Sequence, residues 1–585
     1  MTMLDEPRPV RSRRGVLVAA LVLAVIAAGV VLWLLVRGGD GERVSVFPGP
    51  TTLAASPTTT ITLRGEDVDV EGATVTGAQG GEYAGRWKEH PDGGGATFTP
   101  AKPFAPGERV SLETDDLRSA FVVAREGTIP KPPFDEGKPE ADEGIQRFAS
   151  RPDLRPPEVV VESSTPDASD GDVFVAPKRG PTQEGPMILD RDGKLVWFSP
   201  VEGDQQAFDF RVQQYRGKDV LTWWQGAVAL YRGSGTGRIM DTSYRQITEV
   251  RAANGYEMDA HDFQLTPAGT ALIMAYVPVP WDTSSVGGRR DGIVEDCVIQ
   301  EIDVATGTLL FEWHALGAIG LGESYRPAPK KAGQFHDPYH FNSVGLDADG
   351  DFLVSARHTN AIYKIDRETG TILWRLGGKR SDFAMGPGAK FNLQHDARVQ
   401  ADGTISLFDN VAEDLPARGR VSRGLVLRLD EQARRASVAR EYERPRTLSP
   451  TQGSMEVMDG ERAFVGWGGS RREFTEFSAP GSIAWDARFV PEDVESYRAY
   501  RMPWSGRPST PPDALLRDGV VSASWNGATE VASWRVSPAG GEPVEAPRSG
   551  FETTVRVPGR PRTALVEALD ASGQVLGQSE AFATG

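Results

Sequence analysis

Seven histidines are spread over 585 residues, and three of them recur in one local pattern. The stretches MDAHDFQLTPAGTALIMAY from Met258, PYHFNSVGLDADGDFLVSARH from Pro338 and NLQHDARVQADGTISLFDN from Asn392 each run histidine, short strand, Asp-Gly or Ala-Gly turn, second strand. A fourth copy, QGSMEVMDGERAFVGWGG from Gln452, keeps the turn and strands without the histidine. Imidazole titrates near neutrality, so His261, His340 and His395 are candidates for nucleophile, general acid or base, or metal ligand. Arg357 in SARH closes the His340 copy; a fixed guanidinium suits chemistry that spreads negative charge and opposes entry of a metal ion. His358 beside it, and Asn342 two residues beyond His340 on the same strand face, are further substrate-binding candidates. Lys379 in LGGKRSDF adds positive charge from a loop. As strand neighbours, Arg357 and His358 should point to opposite faces, so that at most one of them faces the site directly. His336 and His340 have the i,i+4 spacing of a helical metal pair, but Pro338 lies between them and no helical pattern surrounds them.

Residues this far apart in the chain meet only if repetition brings them together. Between the histidine copies lie hairpins such as AIYKIDRETGTILWRLGG and CVIQEIDVATGTLLFEWHA, each turning at D-x-x-T-G. Copy and hairpin together make a cycle of four strands, the content of a propeller blade. Residues 156–504, roughly 350 at about 40 to 60 per blade, fit six blades, and their length also permits seven. In a propeller the first strand of each blade is innermost, so residues opening those strands converge at the mouth of a central channel. A single strand-opening histidine is ordinarily a turn or edge residue satisfied by backbone groups; three at one repeat position point to a site. His314 in FEWHALG lacks the motif and reads as a structural or rim residue. His90, in the turn KEHPDGGG, reads as exposed and inert.

The fold class is therefore all-β, a propeller with flanking sandwiches. Residues 43–125 alternate short β-branched runs with turns, as a small sandwich does, and 505–585 resemble a fibronectin-like or immunoglobulin-like sandwich with Trp525 and Trp534 in its core. Residues 126–155, rich in Pro and acid, make a linker or a strap. The uncharged apolar run 15–36 is long enough to cross a bilayer as a helix. Arg8, Arg11, Arg13 and Arg14 precede it, which puts residues 1–14 in the cytoplasm and everything beyond the helix outside it. The net charge of −17 excludes a general nucleic-acid partner, since no basic surface would neutralise phosphates. Cys297 is the only cysteine, so no intramolecular disulfide forms; it reads as a packed strand residue.

The stretches HDF, HFNSV, SARHTNAIYKID, LWRLGG and QHDARVQADGTISLFDN resemble the motifs of the bacterial arylsulfotransferase family, whose members move a sulfuryl group between phenols without the nucleotide donor PAPS. The resemblance runs from about 156 to 504 and is most specific between 258 and 410. It implies a six-bladed propeller with the site in its central channel, aryl sulfate and phenol as small-molecule partners, and no cofactor or metal. Matched motif by motif, His395 corresponds to the family's transiently sulfated nucleophile, and His340, His261 and Arg357 to its supporting groups. The anchor, the C-terminal sandwich and the lack of a disulfide depart from the better-known periplasmic members. The residues alone leave two other classes open: a non-catalytic surface-binding or adhesion propeller, and a metal-dependent hydrolase or lyase ligated by the three imidazoles. They leave oligomeric state unspecified.

Overall fold

The computed structural model describes residues 44–65, 68–125, 143–411, 421–470 and 473–582. Alternating apolar and polar residues, punctuated by glycine turns, give these a regular structure that is almost all antiparallel strand, with one four-residue helical turn at Ala315–Ala318 and four 3-10 turns among the described residues. No helix among them is long and apolar enough to cross a membrane. The apolar run 15–36 lies outside the described residues.

Between residues 159 and 502 the chain forms six successive sheets of four or five strands. The second to sixth open with Gln205–Tyr215, Phe263–Leu265, Phe341–Leu346, His395–Val399 and Ser454–Met458 and then add strands in chain order, the fifth also carrying Ala384–Met385 in parallel on its outer edge. The first is composite: Asp172–Lys178, Met187–Leu189 and Leu195–Phe198 come from the start of the region, and their missing strand, Glu495–Met502, comes from its end. The sixth sheet in turn takes Val159–Ser164 as its outer strand. Both ends of the region are thus stitched into neighbouring sheets. The predicted D-x-x-T-G turns form, with the Asp303 and Asp366 carboxylates accepting from Thr306 and Thr369.

Side chains link each opening strand to the next around a closed circuit. Arg498 donates to Asp209 Oδ1 at 2.9 Å, Phe263 N–H to Asp209 Oδ2 at 3.2 Å, and Val344 N–H to Asp262 Oδ2 at 2.8 Å. Ala397 N–H donates to Ser343 Oγ at 3.0 Å, Met455 N–H to Asp396 Oδ2 at 3.3 Å, and Ala499 N–H to Ser454 Oγ at 3.1 Å. The last bond returns to the strand that carries Arg498, so the arrangement is propeller-like. Between sheets the packing is apolar and aromatic: Phe464, Phe474 and Trp485 sit in one such layer, each buried aromatic contributing about 1.5–3 kcal/mol.

Residues 45–122 form two four-stranded sheets, and 513–582 form a three-stranded and a four-stranded sheet with Trp525 and Trp534 buried in their core. Cys297 is buried on a strand. His90 corrects expectation: it is buried, because its Nε2 meets Thr97 Oγ1 at 2.7 Å across the sheet and Arg64 covers Nδ1 at 3.0 Å. His314 is structural, bonded to Asp296 and Glu312. Burial lowers its proton affinity, but those two carboxylates outweigh that and raise its pKa to about 10.

Candidate active site

His261, His340 and His395 each precede or open one of the circuit strands, and all three are buried. Their backbones are unusual: His340 itself has φ 53°, and His395 is flanked by Leu393 at φ 53° and Asp396 at φ 54°. Left-handed conformations cost non-glycine residues about 1–3 kcal/mol each, so the surroundings must hold them. Leu393 N–H is held by Asn360 Oδ1 at 2.9 Å, and the Asp396 carboxylate by Arg398 Nε at 2.9 Å. The adjacent bulge in the pairing of His395–Val399 turns the imidazole out of the regular strand alternation.

The three rings converge. His261 and His340 lie with centroids 5.0 Å apart. Tyr497, on the closing strand, meets His261 at 5.7 Å and His395 at 6.4 Å, edge-on to both. Tyr231 and Tyr276 pack on His340 at 5.0 and 5.7 Å. The Tyr497 hydroxyl is buried without a hydrogen-bond partner.

Each imidazole has its Nδ1 fixed. His261 Nδ1 meets Asp259 Oδ1 at 2.5 Å, and Asp259 also accepts Gly233 N–H at 2.7 Å, which ties it to the hairpin bearing Tyr231. His340 Nδ1 meets Asp337 Oδ2 at 2.6 Å. His395 Nδ1 meets Asn410 Oδ1 at 2.7 Å, while Gln452 N–H faces its Nε2 at 3.3 Å. Burial pushes the His395 pKa well below the ordinary imidazole value; Arg357, His261 and His340 add to this, and the Asn410 bond opposes it. Burial pushes His340 down to about 3 against the pull of Asp337. Burial favours the neutral form of Asp337 too, but His340 and His358 outweigh it and hold the carboxylate ionised.

Arg357 and His358 correct the strand-face expectation. The strand ends at Ala356, and Arg357–Thr359 form a 3-10 turn closed by Asn360 at φ 51°. The turn is pinned to the histidine loop by Arg357 N–H on His340 O and His358 N–H on Tyr339 O, both 3.0 Å. The two side chains therefore meet: Arg357 Nη1 donates to His358 Nε2 at 2.8 Å, and Nη2 to Pro450 O at 3.0 Å. His358 Nδ1 donates to Asp337 O at 2.8 Å, so His358 orients the guanidinium. Asn342 Nδ2 donates to Gln394 O at 2.7 Å, which braces the residue before His395. Lys379 lies apart from the cluster: Nζ donates to Gly322 O at 3.2 Å and to Ser324 O.

Asp337, His340 and His358 offer ligand atoms within 4.8 Å of one another, as do Asp347, Asp349 and Asp351. In the first group His358 Nε2 already accepts from Arg357 and His340 Nδ1 is bound to Asp337. The second surrounds the ammonium of Lys364. The pairings made here do not suit a metal centre.

The backing groups went unread in the sequence, although a signal exists for two. Asp259 and Asp337 stand two and three residues before their histidines, whereas Asn410, at the end of the next strand, and the three tyrosines carry none.

A propeller-like all-β protein with histidines and an arginine gathered at its axial strands belongs to a small class. Residues 211–490, just under half of the chain, match the family model described as arylsulfotransferase (ASST), which supports assigning this domain to that family. The match supports a sulfotransferase class with small aryl substrates. No curated protein matches. Among solved structures, a protein of unknown function from Bacteroides caccae shares 12% identity over 57% of this chain and 98% of its own, at a TM-score of 0.36. A Lactobacillus plantarum protein shares 12% over 71% and 96%, at 0.32, and a streptogramin B lyase 11% over 62% and 89%, at 0.30. None of these likenesses bears on substrate or mechanism.

Proposed function

We propose that the protein is a PAPS-independent aryl sulfate sulfotransferase that works through a sulfated His395, and that its six sheets are the blades of one six-bladed propeller. The observation that carries this is the state of His395. With Nδ1 bound to an amide oxygen and the ring held neutral by burial and by Arg357, the lone pair lies on Nε2, where it accepts a long bond from Gln452 N–H at 3.3 Å that must be released for attack on sulfur.

The cycle has two halves. Nε2 attacks the aryl sulfate, the S–O bond breaks, and the aryl oxygen leaves with its electron pair. Arg357, held by His358 and Pro450 O, lies beside His395 to offset charge on the sulfuryl oxygens, as electrostatic stabilisation of group transfer requires. His261, backed by Asp259, is suited to pass a proton to the departing phenolate and to take it back from the incoming phenol, while His340, held neutral with Nδ1 on Asp337, leaves its Nε2 to accept a hydrogen bond from the phenol. The second phenol then attacks sulfur and frees His395, giving ping-pong kinetics. Asn342 supports the reaction by bracing Gln394.

The run 15–36 and the arginines before it support a single-pass anchor with the bulk of the chain outside the cytoplasm. The test is direct. Full-length protein incubated with a chromogenic aryl sulfate and a phenol should release aryl chromophore, and with donor alone should yield a sulfonated peptide spanning His395. His395→Ala should abolish both; release of chromophore by that variant at the wild-type rate would sink the proposal.

A further inference from the structure

The three histidines share one construction with one exception. His261 and His340 present Nδ1 to carboxylates, Asp259 Oδ1 at 2.5 Å and Asp337 Oδ2 at 2.6 Å. His395 presents it to a neutral amide, Asn410 Oδ1 at 2.7 Å, on a residue fifteen positions further on. The amide is not free to flip. Its Nδ2 donates to Ser449 O at 2.9 Å and to Gln452 O at 2.8 Å, so only the oxygen is left to face the imidazole. An amide oxygen accepts and never donates, so the shared proton sits on His395 Nδ1 and the lone pair on Nε2.

We propose that Asn410 is a positioning residue that keeps the Nδ1 proton on His395 through both half-reactions, so that the sulfated ring departs as neutral imidazole. This rests on the sulfo-histidine reading above. In the first half the Nε2 lone pair forms the N–S bond, and the ring becomes cationic with its Nδ1 proton retained. In the second half the phenol oxygen, its proton given to a base, forms the new S–O bond. The N–S electron pair returns to Nε2, and the same neutral tautomer is restored. A carboxylate at 410 would disturb both states. In the resting enzyme it would favour the imidazolium, whose Nε2 has no lone pair. In the sulfated enzyme it would draw off the Nδ1 proton, and the leaving group would become imidazolate, a far poorer one. The other groups acting on His395 are Leu393 O, which accepts from Nδ1 at 3.1 Å, Gln452 N–H, which donates to Nε2 at 3.3 Å, Arg357, His261 and His340 from other sheets and Tyr497 from the closing strand. None of them supplies a compensating negative charge. The neutral backing thus separates the nucleophile from the two imidazoles beside it, which are backed by carboxylates.

The half-reactions are read separately on the full chain. Rapid mixing with a chromogenic aryl sulfate alone reports sulfation, and adding phenol to isolated sulfo-enzyme reports its decay. Asn410→Asp should move the acid limb of the sulfation rate up by at least about one pH unit, the size of shift a close carboxylate produces. It should also slow desulfation by roughly 10- to 100-fold, the loss typical of disturbing an imidazole's orienting partner. Asn410→Ala should slow sulfation by a similar factor without the displaced limb, which a merely structural role would not distinguish. Nitrogen-15 NMR of histidine-labelled wild type should place the resting proton of His395 on Nδ1, and this decides the matter should Asn410→Asp fail to fold. A proton on Nε2, or an Asp variant with wild-type pH profile and desulfation rate, overturns the assignment. If wild type forms no adduct on His395, the sulfo-histidine reading itself fails and this inference falls with it, whereas an intact adduct with an indifferent Asn410 removes this inference alone.

Discussion

Arg498 is the residue whose loss should cost this protein most. Its side chain is wholly inaccessible and lies 2.9 Å from both Asp209 Oδ1 and Asp262 Oδ1 and 3.6 Å from Asp396 Oδ1. Nη2 also donates to Asn342 O at 2.6 Å, so one guanidinium on the closing strand grips four other sheets. Arg211 and Arg398 complete a group of three cations and three carboxylates. Arg498→Met keeps the length and leaves one carboxylate uncompensated in a dry interior. Removing one partner of a buried ion group costs about 3–5 kcal/mol. Over the roughly 350 residues of the propeller, an unfolding entropy of about 2.1 cal/mol/K per residue amounts to about 0.7 kcal/mol/K, which predicts a Tm lower by about 4–7 °C. Scanning calorimetry on the full chain measures it. Asp209→Asn in the Arg498→Met background restores the charge balance and should recover part of the loss. Since Asp262 and Asp396 directly follow His261 and His395, kcat should fall as well. A Tm within about 1 °C of wild type, or a double variant less stable than the single one, would refute the reasoning.

Four further outcomes follow from the site. Arg357→Lys cannot bridge His358 Nε2 and Pro450 O with one ammonium; kcat/KM should drop about 100- to 1000-fold, as for loss of an oxyanion-type donor, with Tm unchanged. A loss under about fivefold would count against Arg357 as the sulfuryl-facing cation. The folded pKa values of His395 and His340 lie below the ordinary imidazole value, so both rings stay neutral as pH falls past about 6.5, where unfolded histidine charges. The sulfation rate should therefore hold to below about pH 5.5 in a stopped-flow series, and a limb centred on pH 6.5 would contradict the neutral nucleophile. The same shift makes acid destabilising: the unfolded chain gains protons first, and His340 alone, with a folded pKa of about 3, accounts for about 5 kcal/mol lost between pH 6.5 and pH 3. Finally, because His358 Nε2 and His340 Nδ1 are already paired, dialysis against EDTA should leave turnover unchanged; activity lost to EDTA and restored by a divalent ion would reverse this.

The reactive residues were legible because repetition exposes them. His261, His340 and His395 stand at one position of a recurring strand-turn-strand cycle, and Arg357 closes one copy. What repetition does not expose is a contact made by a residue outside the cycle. Arg498 lies 103 positions beyond His395 in a strand with no histidine motif, and only closure of the ring brings it under Asp262 and Asp396. The first sheet is equally hard to read, since its strands at 172–198 lack a leading strand of their own and borrow Glu495–Met502. Strand alternation misplaced His358 for a local reason. The strand stops at Ala356, and a 3-10 turn replaces the two-residue period on which the alternation depends.

The histidine-aspartate pair shows why site and fold cannot be separated here. In HDF and QHDA the imidazole belongs to the proposed site while the next carboxylate joins the buried ion group that links the sheets. Asp262 binds Arg398 and Arg498 and also accepts Val344 N–H from the fourth sheet. Asp396, at φ 54°, accepts Met455 N–H from the sixth. The strain beside His395 is thus held by the same bonds that close the ring. A variant that loosens closure should therefore lose catalysis before it loses the fold, because the left-handed residues beside His395 are among the first to relax once their carboxylate partners are released. In the Arg498→Met protein this predicts a fall in kcat at temperatures well below the unfolding transition, with sulfation of His395 slowed more than donor binding is weakened.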